Sequence, residues 1–154
     1  MAILDFLFKI TLIFGASIGF AMTVQAPNRS LAITGTIGAV SYIPNMIASG
    51  LTHNVYYGIA CGVASVTTLC YFAARMYHIP ASILLVPGLV PYFPGQKLYQ
   101  MIWSLFQLDL SDFITNTSGF VETSVCIYGS VLTMNLTLPI IMQFYRRIKQ
   151  PSKT

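Results

Sequence analysis

LLVPGLVPYFPGQKLYQ, residues 84–100, is the stretch on which the reading of this chain turns. Three prolines, two Pro-Gly pairs and a lysine sit inside a window otherwise as apolar as a membrane span. Proline removes a backbone donor and clashes with the preceding turn, and lipid tolerates no unsatisfied backbone that faces it. A chain that breaks its helix here must bury the break in protein or line a watery cavity with it.

The surrounding composition makes membrane depth the right setting. Of the 154 residues, 55% are hydrophobic and only 8% charged, against about 25% charged in soluble domains. The chain therefore reads as an integral membrane protein with the lipid bilayer as its solvent. A net charge of +4 does not indicate nucleic acid, because Arg146, Arg147, Lys149 and Lys153 cluster after the last apolar run. Phosphate binding needs a basic face on a folded body, whereas a short basic tail after a span is a topology signal. Cys61, Cys70 and Cys126 form no C-x-x-C, and His53 and His78 have no H-x-x-x-H partner. Both sets read as packing or interfacial residues, with no metal or cofactor. No Ser-His-Asp set, paired carboxylates or nucleotide loop can be assembled, so no catalytic residues are expected and an enzyme is excluded.

Five apolar runs follow one another: Phe6 to Val24, Ser30 to Ala48, Val55 to Ala74, Ile79 to Phe106, and Gly119 to Met142. Each is long enough to cross a hydrocarbon core of ~30 Å at ~1.5 Å per residue. Val24 and Ala26 satisfy a small-x-small cleavage pattern, but Pro27 would follow the cut and Asp5 precedes any lysine, so the first run reads as a span. The expected fold is an all-α integral membrane protein of five transmembrane helices, the fourth broken by its Pro-Gly-rich segment. A membrane unit over residues 1–145 would be followed by a basic cytoplasmic tail over 146–154.

Loop charges orient the spans. Arg29 follows span one, Arg75 follows span three, and the basic tail follows span five, while SGLTHN and QLDLSDFITNTS carry no positive charge. By the positive-inside rule the C-terminus is cytoplasmic and the N-terminus outside, with Lys9 snorkelling at the outer end. A re-entrant fourth segment would carry the basic tail outward, so that segment is expected to cross with its break inside the crossing.

Broken helices of this kind are used by secondary transporters, whose unwound backbone and half-helix ends bind substrates and ions. Pro87-Gly88 and Pro94-Gly95 lie about two turns apart and flank Pro91; Gly95 would open the helix carrying Lys97 and Tyr99. With the segment centred near Pro91, Lys97 sits roughly 9 Å from the midplane, placed to meet a substrate carboxylate, to snorkel, or to pair with Asp109 or Asp112. Glu122 is the matching acid, a proton-coupling carboxylate or an interfacial one. Thr133, Asn135 and Thr137 form a polar patch suited to hydrogen bonds between helices or to lining a pathway. Gly15-x-x-x-Gly19 and Gly58-x-x-x-Gly62 are small-residue packing motifs.

VPGLVPYFPGQKLY (residues 86–99) resembles the hallmark segment of the threonine/serine exporter family, two proline-glycine pairs around a short apolar linker with a tyrosine following. GFAMTVQAPNRSL (residues 19–31) is similar to a second family feature, and five spans with a basic tail match the family's small-subunit form. The resemblance implies half of a two-component, proton-coupled exporter of threonine and serine in a bacterial-type plasma membrane. Its partner would be a larger five-span subunit, and its pathway would include Pro87, Gly88, Pro91, Pro94, Gly95 and Tyr99. Some split members are associated with small dicarboxylates such as succinate. The alternative from another class is a non-transporting membrane scaffold in which the break only packs helices.

Overall fold

The computed structural model describes residues 2–149, with side chains placed from Leu4 to Phe144. Of the basic tail expected over 146–154, residues 150–154 lie outside the described residues. Among the described residues, four helices are long and apolar enough to cross a membrane: α1 (Ala2–Thr23), α2 (Asn28–Thr52), α3 (Val55–Tyr77) and α6 (Leu110–Lys149). The fourth apolar run forms two short helices, α4 (Ala81–Gly88) and α5 (Gly95–Phe106), joined through a 3₁₀ turn at Val90–Tyr92. With 8 and 12 residues, neither piece alone spans a core of ~30 Å.

Helix ends follow local chemistry. Gln25, His53, His78 and Leu108, at φ of 55°, 51°, 55° and 56°, turn into the left-handed region just past α1, α2, α3 and α5. Glycine usually fills that position; here 6→1 backbone bonds hold it after three of the helices. Ala26 N–H reaches Ala21 O at 3.0 Å, Ile79 N–H reaches Ala74 O at 3.1 Å and Asp109 N–H reaches Ser104 O at 3.2 Å. Both histidines are thus helix-closing residues.

The fifth apolar run differs from expectation at its start. QLDLSDFITNTS reads as a loop because it is polar, yet the helix already begins at Leu110. Asp109 Oδ1 accepts from the N–H groups of Ser111 (3.1 Å) and Asp112 (3.2 Å) and so caps it. The hydroxyls of Thr115, Thr117 and Ser118 then donate to carbonyls three or four residues back, which hides their polarity inside the helix. At 40 residues, α6 is about 60 Å long, twice the hydrocarbon thickness.

α2 lies between α1 and α3, α6 packs along α3, and α5 packs on α6. Close approach depends on glycine at chosen points. A β-carbon at Gly35 would collide with Phe14 and Ile18, one at Gly38 with Ser17, and one at Gly58 with Asn45 and Ser49. Gly15 and Gly19 meet nothing: the α1–α2 contact uses the glycines of α2, and the small-residue motif of α1 faces away from the body. Ile37, Val63, Val66, Cys70, Leu84 and Tyr92 form the core.

The contacts also give direction. Gly88 faces Val66 and Cys70, and four residues later Tyr92 faces Gly62, so α4 and the 3₁₀ turn run antiparallel to α3. α6 runs parallel to α3, since Glu122 and Cys126 bond to Tyr56 while Met134 lies beside Ser65 and Thr68.

Candidate functional site

The interruption is compact. Pro87 has no N–H for the carbonyl of Ile83, yet it remains helical and fully buried. Leu89 N–H closes α4 on Leu85 O at 3.0 Å. Tyr92 N–H to Leu89 O (2.9 Å), Phe93 N–H to Val90 O (3.2 Å) and Gly95 N–H to Phe93 O (2.8 Å) carry the chain through the turn. The irregular backbone therefore runs from Leu89 to Pro94, between the two Pro-Gly pairs. Gly88 is packed: a β-carbon there would lie 3.1 Å from Val66 Cγ1. Gly95 is open, with only Phe93 Cδ1 at 3.7 Å. Pro91 and Pro94 are half-buried, and no side chain caps the start of α5.

Tyr92 anchors this turn. It is 4% exposed, and its hydroxyl donates to Ser41 O at 2.7 Å, with Ser41 Oγ at 3.0 Å. Ser41 Oγ in turn donates to Gly38 O at 2.8 Å. The phenol ring lies flat against Gly62, leaving no room for a β-carbon. One residue of the break is thereby fixed to the middle of α2 and α3 at once. Nearby, Ser17 Oγ is buried without a hydrogen-bond partner, and Thr34 and Thr67 are buried with their hydroxyls on their own helices' carbonyls. The body around the break is rich in buried hydroxyls.

Beyond the break a second polar group forms. A β-carbon at Gly119 would lie 3.5 Å from Lys97 Nζ, so the amine rests over α6 at that glycine. Glu122 is on the next turn of the same helix, and its Oε2 accepts from the Tyr56 hydroxyl at 2.6 Å. Residues three apart on a helix share a face, their β-carbons ~5–6 Å apart. Lys97 and Glu122 are both exposed, and the Lys97 amine lies over Gly119, three residues before Glu122 on α6. Glu122 also rims a shallow concavity of about 410 Å³ shared with Phe113, Ile114, Thr117, Ser118 and Val121. Tyr99 is 64% exposed and stacks on Trp103, centroids 6.4 Å apart.

Thr133 and Thr137, one turn apart, share a face of α6. Thr133 donates to Gly129 O (2.9 Å) and Thr137 to Thr133 O (2.7 Å), so their hydroxyls serve their own helix rather than a neighbour. Asn135, two residues from each, projects from another side of the helix.

Tyr92, Ser41 and Tyr56 escape a reading of the sequence, and Gly62 shows there only as a packing residue. Tyr92 carried a signal, a polar aromatic between Pro91 and Pro94, but its bond to Ser41 spans 51 residues. Tyr56 and Glu122 are 66 apart; each looks interfacial alone.

A family model described as threonine/serine exporter, ThrE, matches residues 9–140, a span that holds the interruption and both polar groups. No solved structure matches the chain.

Proposed function

The chain belongs to the threonine/serine exporter family, and from that premise we propose that it is the small membrane subunit of a two-component, proton-driven exporter of threonine and serine. The observation that carries the reading is the interruption from Leu89 to Pro94, held in the middle of the α1–α3 body by Tyr92. A helix interrupted at that depth is an arrangement secondary transporters use to bind their substrates. Pro87, Gly88, Pro91, Pro94, Gly95 and Tyr99 border that route. The antiparallel run of α4 and the turn against α3 supports a crossing in which α4, the turn and α5 act as one broken fourth span, followed by α6 as the fifth. An odd number of crossings puts the termini on opposite sides, and the loop charges favour the N-terminus outside and the C-terminus in the cytoplasm.

A larger five-span subunit of inverted orientation would complete the route. α6 packs on α3 and α5 and leaves a broad face open, with Tyr128 at 74%, Leu132 at 58% and Leu136 at 66% exposure. In this reading Glu122 would be the coupling carboxylate.

Gly95→Leu tests the proposal. The site has room for a β-carbon, so the variant should insert and accumulate normally while efflux of threonine from dipeptide-loaded cells is lost. Normal efflux from inserted Gly95→Leu protein would remove the interruption from the route. Efflux by the chain without any partner would remove the two-component reading.

A further inference from the structure

We infer that Lys97 and Glu122 form a clamp for the two charges of an α-amino acid, Lys97 taking the carboxylate and Glu122 the ammonium group. The clamp rests on the exporter reading above and names how that exporter would recognise its substrate. The chain has four acidic residues. Asp5 lies in the first turn of α1, Asp109 caps α6 and Asp112 lies in its first turn. Glu122 stands apart from helix starts. Among the described cations, Lys9 lies on α1, Arg29 at the start of α2 and Arg75 in the last turn of α3, over the Tyr71 ring at 5.2 Å. Lys97 is the one whose amine the fold lays on α6, over Gly119 and three residues from Glu122.

The geometry suits a ligand with separated charges. Tyr56 donates to Oε2 of Glu122 and so holds the carboxylate with its other oxygen outward. The amine lies about one turn along the same face. Gly119 keeps that face bare; a larger residue would stand under the amine. Tyr56 from α3 bonds Glu122 and Lys97 from α5 lies over the same stretch of α6, so the site sums to one positive and one negative charge. A zwitterion leaves that sum unchanged and satisfies both groups. A dicarboxylate would set its second negative charge against Glu122. A carboxylate that holds either a proton or the substrate's ammonium group, never both, also exchanges one for the other.

The test is efflux competition in cells expressing the wild-type chain together with its partner, alongside Lys97→Gln, Glu122→Gln and the swap Lys97→Glu/Glu122→Lys. Threonine and succinate would be the transported probes. Ethanolamine (serine without its carboxylate) and 3-hydroxypropanoate (serine without its amine) would be the competitors. The clamp requires threonine efflux by the wild type with little succinate efflux, and a loss of tenfold or more in apparent affinity for each single variant. It also requires a selective relaxation, Lys97→Gln admitting ethanolamine and Glu122→Gln admitting 3-hydroxypropanoate. A merely structural role would not move the two competitors in opposite senses. Threonine efflux within twofold of wild type in both single variants, or wild-type preference for succinate, overturns the clamp while leaving an exporter. Equal loss for all probes without relaxation also overturns it. Absence of efflux of any probe from inserted wild-type protein overturns the exporter reading and the clamp with it.

Discussion

Gly62→Ala should undock the interruption. The new β-carbon would lie 2.5 Å from Tyr92 Cε1 and 2.6 Å from Cζ, whereas carbons rest at ~3.5 Å or more. The ring must retreat by about 1 Å, which takes the hydroxyl out of hydrogen-bond range of Ser41 O, now 2.7 Å away. Overpacking costs about 1–3 kcal/mol, and the lost bond adds about 1 kcal/mol. A total of about 2–4 kcal/mol lowers the docked population roughly 30- to 700-fold. Hydrogen exchange of peptides covering Leu89 to Gly95, measured in lipid nanodiscs, reads that population directly, with thermal unfolding in parallel. The double variant Gly62→Ala/Tyr92→Leu should fall short of the sum of the single effects by about 1 kcal/mol or more, as expected for residues in contact. Wild-type exchange in Gly62→Ala, or strict additivity in the pair, would refute the assignment of Tyr92 as the anchor.

Three further outcomes follow from the packing. Gly38→Ala, whose β-carbon meets Ser17 Oγ, should lower the melting temperature by an amount that Ser17→Gly largely restores; no rescue would mean the two helices do not meet there. Asp109→Ala should destabilise by about 1 kcal/mol through loss of the cap on α6, while Asp109→Asn stays within a few tenths of wild type in the same thermal scan. In single-cysteine variants, a membrane-permeant maleimide should label Cys61, which is exposed, and spare Cys70, which is 1% exposed; equal labelling would contradict the core.

Much of the helical layout was legible because periodic apolar runs and breakers act locally. Pro80, Pro87, Pro91 and Pro94 restrict backbone wherever they stand, so an interruption near residues 89–94 could be read from the chain alone. The start of α6 could not. Its first turns are as polar as a loop; the Asp109 cap starts the helix, and the hydroxyls then hide their polarity on the helix's own carbonyls. Of the two small-residue motifs, Gly58-x-x-x-Gly62 packs against α2 and Tyr92, but Gly15 and Gly19 have the right spacing and face away from the body, while Gly35 and Gly38 make the contact. Spacing says which residues share a face, and only the partner helix says which face is covered. Lys97 and Glu122 were each visible as charges in apolar surroundings. That they share a face of α6 depends on the turn at Leu108, where a leucine in the left-handed region folds α5 back along α6.

The attachment of α6 at Tyr56 has a mechanical consequence. α6 runs unbroken through 40 residues, and the hydrogen bond from Tyr56 to Glu122 lies nearer its first end than its last. Contact with α3 continues from there to Met134, beside Ser65 and Thr68, so α6 is gripped over about 18 Å and reaches about 18 Å beyond that grip toward Leu110 and about 22 Å toward Lys149. The gripped section holds α6 in line with α3, and Pro139, beyond it, is the point where the last stretch can bend independently.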